Sequence, residues 1–114
     1  MKIIPLSSVP SQTLKVVLDN QDCEISVLMR GQHLYLDLTV NGITIQRGAI
    51  LLDSVSAIQI PTRNFLGTLA IVDTQGNDAP RFDGLGSRWL LCFWSVGDDD
   101  APRNLVPEFD GAVE

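Results

Sequence analysis

"HLYLDLTVNGITIQRGAI", residues 33–50, decides the fold. Leu34, Leu36, Leu38 and Val40 alternate with Tyr35, Asp37 and Thr39, the period of two with which a strand turns one face to a core and the other to solvent. Asn41-Gly42 stands directly after this run. An Asn-Gly pair between alternating segments is the strongest short-range hairpin signal, because a type I′ turn needs positive φ at both central residues. Residues 43 to 46 are therefore predicted to return antiparallel. Arg47-Gly48 interrupts the return before Ala49 to Leu52 resumes an apolar run, which predicts a bulge or bend.

The same alternation extends upstream. Thr13 to Leu18 is β-branched and apolar, Asp19-Asn20-Gln21-Asp22 breaks it, and Cys23, Ile25, Val27 and Met29 then alternate with Glu24, Ser26, Leu28 and Arg30. Arg30-Gly31-Gln32-His33 supplies the next turn. Downstream, Gly67 to Asp73 and Arg88 to Val96 read as two more strands. Both are too apolar for one solvated face, so they are buried on both sides or meet another protein. Asp53 to Gln59 fits neither period, and Pro61 stops whatever precedes it. No stretch of ten residues keeps a 3.6 period, and turn signals recur as they do in sandwiches and barrels. The expected fold is all-β, a small antiparallel β-sandwich or partly open β-barrel of about six to eight strands. A single domain is expected over residues 1–96, followed by an acidic, proline-containing tail over 97–114.

Charge follows this division. Of the net −6, the segment from Gly97 onward carries six acids against Arg103 alone, leaving a nearly neutral body. A neutral body with an acidic end offers no footprint for phosphate backbones or anionic lipid, so neither nucleic acid nor membrane is an expected partner. Hydrophobic residues make up 45% and charged ones 19%, composition that argues against a disordered chain. No apolar run approaches a membrane span. Met1-Lys-Ile-Ile-Pro5 does not read as a signal peptide, so Cys23 and Cys92, both in apolar runs, are expected to be buried thiols in a reducing compartment.

Residues 72–94 hold the remaining chemistry. Gly84-Leu-Gly86-Ser-Arg88 opens onto a strand and not a helix, so it does not make a phosphate cradle. Asp73, Asp78, Asp83 and Asn77 supply oxygen ligands that calcium would accept, but at no EF-hand spacing, and Asp and Asn are ordinary turn formers. His33 is the sole histidine; an enzyme would need it within reach of Cys23, Cys92 or a serine. Asp37, Asp53, Asp73 and Asp83 could be paired as glycosidase carboxylates, though nothing marks one as a raised acid and Asp37 is expected to face solvent. Trp89 and Trp94 are five apart and face opposite ways on a regular strand. No catalytic residue, metal ligand or cofactor is expected. The rival to a structural role is a carbohydrate- or ligand-binding domain using Trp94, Tyr35 and the 73 to 88 loop.

Several segments together carry a resemblance: "IPLSSVPSQTLKVVLD", "RGQHLYLDLTVNGI", "GAILL" and "GTLAIVDTQGNDAPRFDGLGSRWLLCFW". Over about residues 3 to 95 the chain resembles the baseplate plug proteins of contractile-tailed bacteriophages. The most specific parts are Asp73-Thr-Gln-Gly76 and Gly84-Leu-Gly86-Ser-Arg88. The resemblance implies a small β-rich structural subunit of the virion tail, made and assembled in the host cytoplasm, with baseplate hub subunits as partners and a homo-oligomeric state in the assembly. It implies no catalytic residues. The expected contact residues are Phe82, Leu85 and Trp94, with Leu105 and Phe109 in the tail.

Overall fold

The computed structural model describes residues 1–58 and 65–95. Among these residues the chain forms seven strands: β1 (Lys2–Ile4), β2 (Ser11–Leu18), β3 (Gln21–Arg30), β4 (His33–Val40), β5 (Ile43–Ile50), β6 (Thr68–Asp73) and β7 (Trp89–Trp94). They build two antiparallel sheets, β2-β3-β4-β5 and β1-β7-β6, which do not close into a barrel. The sandwich is the outcome of the two architectures expected from the sequence. The proposed tail, with Leu105 and Phe109, lies outside the described residues.

Three hairpins generate the larger sheet. Asp19 and Asn20 both adopt positive φ (53° and 62°), as do Asn41 and Gly42 (50° and 84°), the signature of type I′ turns that match strand twist. β2 pairs β3 from Leu18↔Gln21 out to Ser11↔Leu28, and β3 pairs β4 from Cys23↔Val40 out to Arg30↔His33, without a shift. The β4–β5 ladder shifts twice, between Leu36 and Leu38 and between Leu38 and Thr39. This is the irregularity that Arg47-Gly48 predicts. Asp37 faces outward and its Oδ1 accepts the Gly48 N–H at 2.6 Å, giving the displaced backbone group a partner it lacks in the ladder.

The core lies between the sheets. Ile25, Val27, Leu34, Leu36, Leu38 and Val40 from the larger sheet meet Leu69, Ile71, Trp89, Leu91 and Phe93 from the smaller one. Each fully buried Leu or Ile contributes about 1.5–3 kcal/mol of transfer free energy. The larger sheet keeps a polar outer face, on which the hydroxyls of Thr13 and Ser26 lie 2.9 Å apart. The smaller sheet does not. β6 and β7 bury residues on both faces, with Ala70, Cys92 and Trp94 forming a second apolar cluster behind the sheet, flanked by Val72 and Leu90. Their two-sided burial is what the apolar runs predict.

The described part of the Asp53 to Gln59 stretch, which fits neither period, runs along the free edge of β6. Isolated bridges join Asp53 to Ile71 and Ser56 to Ala70, and Ala57 N–H donates to Leu69 C=O at 2.7 Å. β1 was not legible as a strand: at three residues it is too short to show a period, and it exists because β7 presents an edge to Lys2, Ile3 and Ile4.

Candidate functional site

The corner between β6 and β7 gathers the residue types that could do chemistry. Asp73 closes β6 with its side chain fully enclosed, and Arg88, just before β7, meets it fork to fork: Nε to Oδ1 at 2.8 Å and Nη2 to Oδ2 at 2.9 Å. The same carboxylate accepts the Gln75 and Asp78 N–H groups, each at 2.9 Å. Asp78 Oδ2 takes a third bond from Arg88 Nη2 at 3.0 Å. The Asp73 backbone N–H is taken by Asp53 Oδ1 at 2.7 Å. The Arg88 guanidinium, and after it these backbone donors, hold the Asp73 carboxyl well below the usual carboxylate range. Asp73 in turn holds Arg88 charged.

Trp89 completes the corner. Its indole N–H donates to Asp78 C=O at 3.1 Å. The Arg88 and Arg81 guanidinium carbons lie 4.4 and 4.9 Å from its ring centroid, so both cations stack on one aromatic. Gly86, at φ +84°, donates its N–H to Trp89 C=O at 2.9 Å and brings its Cα against the Leu6 carbonyl. Every charge that a ligand would need at Asp73 or Arg88 is therefore spent inside the loop. Two of the carboxylates that calcium would require point at a guanidinium, and Asp83 lies apart as an exposed residue of the short 3-10 turn Phe82–Gly84. No cluster of three metal-ligating side chains occurs among the described residues. The motif read from the sequence is a structural lock.

The other candidates separate in space. Tyr35 sits half-buried on the outer face of the larger sheet and Trp94 behind the smaller one, so they stand on opposite sides of the sandwich and make no common sugar platform. His33 borders a groove of about 680 Å³ with Met29, Pro80, Phe82 and Asp83. Its Nδ1 is buried without a hydrogen-bond partner, and no bond joins it to a thiol or hydroxyl among the described residues. Cys23 and Cys92 are buried thiols, and burial pushes the Cys23 thiol up.

The expected contact residues divide similarly. Leu85 was expected at an exposed position; it is 2% exposed and packed in the core, because Gly86 folds the loop back and turns the leucine inward. Phe82 is half-buried against the core. Trp89 belongs to the core and Trp94 to the opposite cluster, the two-faced arrangement that their spacing requires. Trp94 is only 5% exposed, yet its Nε1 has no partner among the described residues. Ile3, which sequence reasoning passed over, shares this outer face opposite Cys92 and is 48% exposed.

Residues 1–96 match the family described as "Cyanophage baseplate Pam3 plug gp18". No curated protein matches the chain. The chain belongs to the cyanophage baseplate plug family.

Proposed function

We propose that this member of the baseplate plug family is a structural subunit of a contractile tail, working by protein–protein assembly at the baseplate and not by catalysis. The observation that carries this reading is the family match over residues 1–96. Two features of the molecule support it. Asp73, Asp78 and Arg88 of its most suggestive loop are consumed in holding the β6–β7 corner. The smaller sheet is apolar on both faces, with Ile3 exposed and Leu90 and Val72 half-buried on the outer one, a surface suited to burial against a neighbouring subunit. Phe82, beside the His33 groove, and Trp94, whose indole N–H has no partner among the described residues, are the contact residues in this reading; Leu85 is not, being spent on the core. The partners are other baseplate subunits, and the location is the virion tail.

The test is peptide mass spectrometry of purified phage tails, coupled to deletion of the gene. The expected result is the protein in intact tails at a fixed ratio to baseplate components, with deletion yielding tails lacking a complete baseplate. Its absence from purified tails overturns the proposal.

A further inference from the structure

We propose that β2 is an interface at which two copies of this chain pair antiparallel about a two-fold axis at Thr13. The proposal deepens the assembly reading above by naming one contact and its partner. Of the four sheet edges among the described residues, three are closed to regular pairing. β5 is shifted twice in its ladder, β6 is bridged by Asp53 and Ser56, and β1 is three residues long. β2 is eight residues, pairs without a bulge and has no strand on its outer edge among the described residues. A long, straight, open edge is a ready template for another strand.

The ladder shows which groups are open. Met29 N–H donates to Pro10 C=O at 2.8 Å, so in an antiparallel pair Gln12, Leu14, Val16 and Leu18 spend their backbone groups on β3, while Ser11, Thr13, Lys15 and Val17 direct theirs to the free edge. At one end Lys2 Nζ donates to the Val17 C=O at 3.1 Å and blocks further pairing. At the other, Pro10 turns its backbone to β3 and Val9 spends its N–H on the Ser7 C=O at 2.9 Å. The open template is therefore Ser11 to Lys15, with Thr13 at its centre.

That segment is complementary to itself. With Thr13 on the axis, the two copies place Thr13 opposite Thr13 and Ser11 opposite Lys15, forming about six backbone hydrogen bonds. The only charge on the strand then avoids its own copy. The same register carries the exposed Val17 of one copy toward the exposed Val9 of the other (54% and 38%). The outer face of the joined sheet stays polar, since Thr13 and Lys15 lie on the side of Ser26 and Glu24.

Sedimentation of the full chain over a concentration series tests this. A monomer–dimer equilibrium is expected, and Thr13→Pro raises its dissociation constant by about tenfold or more. The substitution removes an N–H that β3 does not use, and proline is tolerated on strand edges. Cross-linking needs no proline. Thr13→Cys is expected to give a disulfide-linked dimer under mild oxidation, since bonded antiparallel partners stand about 5.5 Å apart, whereas Lys15→Cys and Thr44→Cys are not. A chain that stays monomeric, a dimer indifferent to Thr13→Pro, or cross-linking stronger at position 15 or 44 overturns the pairing. Monomers found in intact tails sink the pairing and spare the baseplate role; a dimer absent from tails does the reverse.

Discussion

Replacing glycine by alanine at three positions separates two costs that are usually confounded. Gly42 and Gly86 share φ +84°, but nothing lies within 4 Å of a Cβ added at Gly42, whereas one at Gly86 runs into the Leu6 carbonyl oxygen. That oxygen cannot retreat easily. Gln12 grips Ser7 through two bonds, at 2.8 and 2.9 Å, and Ser8 Oγ donates to Leu85 C=O at 3.1 Å. At Gly76 the φ is not left-handed, and the added methyl meets Arg88 Nη2 at 3.4 Å and Asp73 Oδ2 at 3.5 Å. The left-handed backbone costs an alanine about 1–2 kcal/mol, and forcing atoms into packed space costs about 1–3 more. Gly42→Ala is thus expected to lose about 1–2 kcal/mol and Gly86→Ala about 2–5, while Gly76→Ala stays near neutral or gains up to about 1 through the unfolded chain. Urea titrations followed by circular dichroism, compared at constant slope, measure all three. In a domain near 100 residues each kcal/mol moves the melting temperature by about 4–8 °C. Equal losses at Gly42 and Gly86 would refute the close approach of Leu6. A loss at Gly76 larger than at Gly86 would refute the account of the loop.

Leu85→Ala should cost about 2–5 kcal/mol, as for a buried leucine, and unfold the free chain earlier in urea; a surface residue would leave the midpoint unchanged. The depressed Asp73 carboxyl contributes stability that is fully present above its ordinary value near 4 and is lost as pH falls through and below that value. Melting temperature should accordingly hold between about pH 7 and 5 and decline below about 4, with Asp73→Asn and Arg88→Met flattening the decline and starting from a lower melting temperature. Cys23 and Cys92 should resist a thiol-reactive dye in the native protein and react at once in denaturant; rapid native labelling would contradict their burial.

The larger sheet was legible because each of its signals is local. The alternation in Leu34 to Val40, the Asn41-Gly42 turn and the Arg47-Gly48 interruption each act within a few residues, and the structure repeats them in order. Opacity began where a residue's role is set by distant chain. Lys2–Ile4 is a strand only through β7, and Asp53 is an anchor only because Asp73 arrives beside it. The 73 to 88 loop shows the same limit from the other side. Its composition already favoured a turn over a ligand site, but what fastens that turn, the fork between Arg88 and Asp73, fifteen residues apart, was not legible. Leu85 was misplaced for a related reason, since polar neighbours suggested a surface position while the reversal at Gly86 sends its side chain inward.

The kink that Asp37 fastens at Gly48 also bears on what happens when many copies are made at once. A sheet that can be lengthened from either flank can grow without end into a fibre, and a chain this apolar would be at risk of it. With one flank deformed, the pairing proposed at β2 ends at two copies, so strand addition through this sheet closes on itself and does not propagate.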